Sequence, residues 1–481
     1  MKALQISLIS LLLSFFQYTT LLGQSLIQGE FWKKQALEEI IVPWSQNAID
    51  KEHGAYHSFL ERDWTPFNEN HKFPGMIARH LFSYAVAYML SGEEKYRLQA
   101  NETYDYLISK GWDAQHGGWY NELDRKGAVV DATKDLFMQT YAITGLTMYY
   151  LMNRDEEVKR YIDRSIELLE EYAWDKQGGG FASALNQDLS VKNYEKAFSP
   201  QLAPLSGYLL YLYTATRDAQ YLEMSERILQ TVLDNMTHQA SGWVMERYDR
   251  DWQPIAGKND FMNTGHNIEV AWVLMRLYDL TGKEDYLRLA REMNTQLLRY
   301  SYSPQSGIWY HKVEVADARN HTNDSPWWVQ AYGNMFQLYM YHNSGDLQYL
   351  QNFRKGAQFW NRHFMDSTYG GAFLSVLADG SIDKGQKAVR TKTSYHAMEH
   401  GLLNYLYLNI WVNRASVSLH YYINGAECRR LFPLPVEEMD YEIKEVRIGG
   451  ELWEEINYQE GYVILPEEDI SKHIVVSIVQ R

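Results

Sequence analysis

The chain has 481 residues, with 46 Lys and Arg against 61 Asp and Glu, and its formal net charge of −15 argues against a nucleic-acid partner, whose phosphates a binding surface must neutralise. A single cysteine, Cys428, excludes an internal disulfide, so stability has to come from a large apolar core. Fifteen Trp and 37 Tyr are many for this length; aromatic faces stack on sugar rings and their polar edges bond hydroxyls, although packing between helices also consumes such residues.

In chain order, Met1-Lys2 and the apolar run from Ala3 to Phe16, with a small-residue exit near Gly23-Gln24, read as a secretory signal peptide over residues 1–23. No later stretch approaches the roughly 18–20 unbroken apolar residues that a membrane-spanning helix needs, so no membrane insertion is expected. These features predict an exported protein, periplasmic or extracellular.

A Gly–aromatic punctuation then recurs: Gly54-Ala55-Tyr56, Gly118-Trp119, Gly179-Gly180-Phe181, Gly242-Trp243, Gly307-Ile308-Trp309 and Gly371-Ala372-Phe373. The leading glycines are spaced by 64, 61, 63, 65 and 64 residues, a regularity that marks internal repeats. Between them lie tight-turn signals at Gly92-Glu93, Arg154-Asp155, Arg217-Asp218, Gly282-Lys283 and Gly345-Asp346. The flanks are helical in period; Tyr286, Leu287, Leu289, Ala290, Met293 and Leu297 recur largely at three- and four-residue steps. Each unit therefore reads as helix, short turn, helix and glycine loop. One such hairpin cannot bury its apolar face, whereas six in a ring can. The expected fold is all-α, an (α/α)6 barrel over residues 24–414.

The pattern stops near Arg414. Segments 416–423, 441–448, 462–465 and 473–479 are short, rich in Val, Ile and Tyr, and broken by Asn424-Gly425 and Gly449-Gly450. Residues 415–481 are expected to form a small β-rich C-terminal domain.

Conspicuous polar residues open the first helix of each hairpin: Arg79, Lys134 with Asp135, Gln201, His266 with Glu269, Trp327 with Trp328 and Gln330, and Lys392 with Tyr395 and His396. From Arg79 through Lys134, Gln201, His266 and Trp328 to His396 the steps are 55, 67, 65, 62 and 68. A shared phase predicts convergence on the concave pocket at one end of the barrel. His266 and Glu269, three apart on a helix, share a face, and a carboxylate beside an imidazole raises its pKa toward a useful acid/base range. Lys392, one turn before His396, should depress that imidazole. The pair then reads as His266 acid and His396 base. Trp327-Trp328 fits either core packing or a sugar platform. No His-Glu-x-x-His segment or Cys cluster is present, so neither a metal nor another cofactor is expected.

Gly265 to Trp272 resembles the Gly-His-x-Ile-Glu-x-x-Trp segment of the N-acylglucosamine 2-epimerase and cellobiose 2-epimerase superfamily, and the likeness runs from about Phe31 to Ile410. Ala78-Arg79 with Phe82, Trp327 to Ala331, and Lys392 to His396 are similar to its Arg, paired-Trp and Lys-x-x-Tyr-His segments. The resemblance implies an (α/α)6 barrel, His266 and His396 as acid/base pair, Glu269 as supporting carboxylate, Arg79 as substrate anchor and Trp328 as stacking surface. It also implies proton transfer beside a sugar carbonyl without metal or nicotinamide. Departures from the family pattern are Ala203 for a third histidine, Tyr332 for an acid after the Trp pair, Glu399 for an Arg, and Thr391 for a Trp. Tyr332 and Tyr395 could substitute for lost groups.

The leading expectation is an epimerase or aldose–ketose isomerase of mono- or oligosaccharides. Elimination from a uronic acid, with Arg79 or Lys134 as the positive group, is the alternative, and a non-catalytic glycan-binding barrel is a third. Glycoside hydrolysis ranks low, with Asp135 as its one evident inner carboxylate.

Overall fold

The computed structural model describes residues 25–423, 429–436, 441–466 and 471–481. The signal-peptide segment 1–23, the Asn424-Gly425 turn and Cys428 lie outside the described residues.

Six inner helices form the barrel: Pro74–Ser91, Leu136–Asn153, Phe198–Pro204 continued through Leu205–Leu209 into Leu210–Thr216, Thr264–Thr281, Trp327–Ser344, and Tyr395–Tyr407 continued by Leu408–Asn413. They are buried on every side; in the first, each residue from Pro74 to Leu90 is covered. The outer helices are amphipathic. Along Glu284–Tyr300 the buried residues Tyr286, Leu287, Ala290, Met293, Asn294 and Leu297 trace one stripe, as expected of a helix with core on one side and water on the other. Glu94–Tyr106, Glu156–Leu168, Ala219–Met236 and Leu347–Phe359 complete the hairpins of the first, second, third and fifth inner helices.

The predicted helix–helix turns have a common construction. The first five inner helices end at a left-handed residue, Gly92, Arg154, Arg217, Gly282 and Gly345, with φ of 68°, 53°, 58°, 67° and 68°. The next helix starts two residues later, after a single capping residue, and the side chains of Asp155, Asp218 and Asp346 accept from the N–H groups of Glu157, Gln220 and Gln348. The left-handed residue turns the chain sharply and the aspartate satisfies an orphan donor.

The sixth inner helix finds its outer partner at the other end of the chain, in the helical segment Gly29–Lys34, Gln35–Ile40 and Ile41–Asn47. Gln35 Nε2 donates to Asn361 Oδ1 (2.7 Å), Trp360 Nε1 donates to Gln35 Oε1 (3.1 Å), and Asn413 Nδ2 donates to the Ile27 carbonyl (2.7 Å). These contacts close the ring.

Four glycine loops carry a buried ion pair to the chain approaching the next inner helix or site loop: Asp50–Lys72 (3.2 Å), Asp113–Lys134 (3.0 Å), Asp175–Lys196 (3.2 Å) and Asp366–Lys387 (2.8 Å). Each aspartate also accepts backbone N–H groups of its own loop. Burial pushes these carboxyls up, but the cations and loop N–H groups outweigh it and hold all four below the ordinary range.

The sequence reading treats the connections as plain loops; the structure corrects this. Short antiparallel ladders link successive repeats beside the helix starts, among them Lys134–Asp135 with Ala184–Leu185, Phe261–Asn263 with Lys312–Glu314, and Asp324–Pro326 with Ser375–Leu377. Segments of two or three residues are too short for alternation to register.

Beyond Arg414 the strands Val417–Ile423, Lys472–Gln480, Tyr441–Ile448 and Glu451–Leu452 lie side by side in that order, antiparallel. Val417, Leu419, Tyr421 and Ile423 alternate inward, the period-2 pattern of a half-buried strand. The sheet rests near the C-terminal ends of inner helices, where the Tyr88 and His473 rings meet edge to face at 6.1 Å, and the segment between its first two strands in chain order is held there too, Arg154 Nη2 donating to the Phe432 carbonyl (3.0 Å). Inner helices of 18 residues are about 27 Å long, so the sheet sits a helix length from the site described next. Among the described residues no helix is long and apolar enough to cross a membrane.

Candidate active site

One cavity of about 270 Å³ opens at the N-terminal ends of the inner helices. Counting from the first residue of each helix, the residue five positions on lines it in five helices: Arg79, Tyr141, Ala203, Glu269 and Tyr332. The residue one position on lines it in four: Phe137, Ser199, Trp328 and His396. Residues four apart stack on one helical face, so the two sets form two tiers of wall. His266, Asn263, Trp327 and Thr391 are also among its walls.

The residue three positions on faces sideways to the glycine loop. Gln139, Gln201, Asn267 and Gln330 accept through their amide oxygens from the N–H groups of Trp119 (2.8 Å), Phe181 (2.7 Å), Val244 (2.9 Å) and Trp309 (3.0 Å). The amide nitrogens donate back to the loops. Gln201, expected to bind substrate, is thus a loop clamp. Lys134 is spent on Asp113 in the same way. Lys392 donates to the carbonyls of Ala372 (2.6 Å) and Gln386 (2.8 Å), its ammonium under the Trp327 ring. Tyr395 turns behind the wall and donates to Glu399 (3.3 Å). None of these four lines the cavity.

His266 has a partner that the sequence reading missed. Its Nδ1 donates to Glu246 Oε1 at 2.7 Å, its ring stacks on Phe198 at 4.2 Å, and its backbone N–H is accepted by the Asn263 side chain. Burial lowers this imidazole's pKa, but the Glu246 charge and hydrogen bond and the Glu269 charge outweigh it, and the net shift is upward. Glu269, the expected partner, is bonded by the Ser206 hydroxyl instead. Burial raises the Glu269 carboxyl above its ordinary value. Glu246 sits in a loop with no local motif; Tyr141 shares the helical phase of Arg79 and Glu269, and that phase was the available signal for it.

His396 stands in the opposite environment. Burial and the Arg79 charge hold its pKa well below the ordinary value, where Lys392 had been expected to do so. Its Nδ1 is buried without a hydrogen-bond partner. Arg79 lays its guanidinium over Tyr141 at 3.5 Å from the ring centre and donates to the Thr391 carbonyl (2.7 Å). The Trp328 ring neighbours both histidines, 5.3 Å from His266 and 6.1 Å from His396. The cavity therefore holds two imidazoles, one biased toward its charged form and one toward its neutral form, around an aromatic face.

A second hollow of about 280 Å³ shares Phe137, Ser199 and Thr391 with the first and extends to Asp135, Arg247 and Arg390. Among the described residues no group of three His, Cys, Asp or Glu side chains gathers as a metal site.

Residues 54–400 match the model of the family described as N-acylglucosamine 2-epimerase (GlcNAc 2-epimerase). The chain is 26% identical over 384 residues to the cellobiose 2-epimerase of Bacteroides fragilis, covering 76% of this chain and 95% of that one. It is 22% identical to the D-mannose isomerase of Marinomonas mediterranea, covering 75% and 93%. In fold it is similar to the cellobiose 2-epimerase of Spirochaeta thermophila, with a TM-score of 0.73 at 22% identity over 79% of this chain and 96% of that one.

Proposed function

The chain belongs to the N-acylglucosamine 2-epimerase family, and from that premise we propose that it is a sugar epimerase/isomerase acting at C2 of a reducing sugar, with His396 as base and His266 as acid. The observation that carries this reading is the pair of oppositely biased imidazoles that line one cavity beside Trp328. In the open-chain form of an aldose, C2 is adjacent to the aldehyde and its proton is acidified. His396, held neutral by burial and Arg79, accepts that proton. Negative charge develops on the carbonyl oxygen as the enediolate forms, and the buried Arg79 guanidinium opposes it, an effect of about 3 kcal/mol for a preorganised donor. His266, held protonated by Glu246, returns a proton to C2 from the other side, and the configuration inverts. Return at C1 instead would give the ketose.

The adjoining hollow suits a second sugar ring, which supports oligosaccharides as well as monosaccharides as substrates. Export remains part of the proposal on the strength of residues 1–23. Sequencing the N-terminus of protein recovered from its host tests this; a chain retained full-length in the cytosol overturns it.

The test of the reaction is incubation with neutral and uronic mono- and oligosaccharides in heavy water, followed by proton NMR. Deuterium at C2 with appearance of the epimer is expected. A vinyl proton at C4 of a uronate would mean elimination, and deuterium at C1 of a ketose would mean isomerisation.

A further inference from the structure

Glu399 lies one helical turn beyond His396, completely buried and behind the cavity wall. Three phenols from three inner helices surround its carboxylate: Tyr332 donates to Oε2 at 3.0 Å, while Tyr211 and Tyr395 donate to Oε1 at 3.1 and 3.3 Å. The same Oε2 lies 3.8 Å from His396 Nδ1, the nitrogen that is buried without a hydrogen-bond partner.

Building on the assignment of His396 as the base, we propose that Glu399 is its positioning residue: the caged carboxylate keeps the imidazole proton on Nδ1 and leaves Nε2 bare to accept the substrate proton.

A neutral imidazole carries its proton on one nitrogen or the other, and the neighbour of each nitrogen decides which. With the proton on Nε2, the lone pair of Nδ1 would face a carboxylate oxygen; with it on Nδ1, an N–H dipole faces that oxygen, which is the favourable arrangement. The phenols hold the carboxylate in place and stabilise its charge without supplying a competing cation. Facing this group are Arg79 from the first inner helix, Tyr141 from the second, Tyr211 from the third, Glu269 and Arg276 from the fourth, Tyr332 from the fifth and Tyr395 from the sixth. Burial pushes the Glu399 carboxyl up to about 7, against the pull of the phenols and Arg276. Once protonated, Glu399 becomes an O–H donor. It then pairs with a bare Nδ1, the ring proton moves to Nε2, and the base is switched off with no change in ring charge. The acid limb of activity therefore belongs to Glu399, because His396 itself titrates well below its ordinary value.

The experiment is nitrogen NMR of histidine-labelled, substrate-free protein, with His396 identified by the signals lost in His396→Ala. Above neutrality Nδ1 should carry the proton, and the tautomers should exchange on acidification, together with the acid limb of kcat. In Glu399→Gln the tautomer should no longer follow pH, the acid limb should leave its wild-type position, and kcat should fall about a hundredfold with KM within about threefold. Tyr332→Phe removes one donor, so the tautomer midpoint and the acid limb should rise together; this variant and Tyr211→Phe carry the test if Glu399→Gln does not fold. A His396 tautomer that stays constant from about pH 5 to about pH 9 in the unmodified protein, or an acid limb unmoved in these variants, overturns the proposal. The tautomer readout needs no substrate, so it stands apart from the sugar assay: absence of C2 exchange on every sugar would defeat the proposed function and leave the titration to be judged alone.

Discussion

Glu246 accepts the Nδ1 hydrogen bond of His266 at 2.7 Å across a separation of 20 residues, and under the proposed mechanism this pair should set the alkaline edge of the chemistry. A group whose pKa is raised keeps its proton up to the raised value and loses it beyond. An acid of this kind supports activity at lower pH and fails as pH rises through that value. Glu246→Gln removes the charge and the charge-assisted hydrogen bond, and should move the alkaline limb of kcat/KM to lower pH. Glu269→Gln should move it less, because that carboxylate is engaged by Ser206. A pH profile of the two variants against the unmodified enzyme decides the matter, and equal shifts would mean that the loop carboxylate has no special place.

The proposed division of labour between His266 and His396 makes the single variants informative. His266→Ala and His396→Ala should each lower epimerisation by about 10²–10⁴. They should fail differently. With His396 intact, His266→Ala should still exchange the C2 proton of one epimer with solvent deuterium, because abstraction and return on the same face need only one base. His396→Ala should lose that exchange. Deuterium incorporation read separately in each epimer measures this, and parallel loss in both variants would remove the division of labour.

Trp328 touches both histidines, so its truncation bears on binding and geometry together. Trp328→Phe keeps an aromatic face and should raise KM several-fold, in line with about 1 kcal/mol for aromatic stacking. Trp328→Ala should also lower kcat, since the rings beside it lose their lateral support. A Trp328→Ala enzyme with normal kcat would confine the residue to substrate binding.

The buried Asp–Lys pairs predict acid sensitivity. Their carboxyls titrate below the ordinary range, so their contribution is present above the unfolded-state pKa near 3.9 and is lost as pH falls through the depressed folded values. The contribution of these pairs to the urea midpoint should be constant from neutrality to about pH 5 and fall steeply below about pH 4, so the loss of midpoint in an Asp→Asn variant should shrink at acid pH. Asp366→Asn strands Lys387 and weakens Arg62, and should cost about 3–5 kcal/mol, the loss expected when one partner of a buried pair is removed.

The architecture was legible because glycines at positive φ and the left-handed hairpin residues recur at one spacing, and backbone geometry of that kind writes itself into composition. The site was legible where chemistry and phase coincide, at Arg79, His266, Trp328 and His396, all of which face the cavity. It was not legible at Lys134, Gln201 and Lys392, for a geometrical reason. The end of an inner helix that faces the cavity also abuts the glycine loop, and a shift of one or two positions along the helix turns a polar side chain from one to the other. Glu246 was invisible because a loop has no period to betray a facing residue. The exchange of partners around His396 was half visible. Tyr332 and Glu399 both break the resemblance, and only the fold discloses that these two positions bond to each other.

The way the ring closes bears on how the molecule is made. Five inner helices find their outer partners within one hairpin, but the sixth pairs with the helical segment at residues 29–47, through contacts such as Gln35 with Trp360 that span 325 residues of chain. Until the last inner helix exists, the growing polypeptide is an open arc with an apolar seam on each flank, built of local contacts that form quickly. The final docking joins the sixth inner helix to residues 29–47 and is available only once that helix has been made. A polypeptide of this design stays short of its finished, locked shape for as long as its last inner helix is missing.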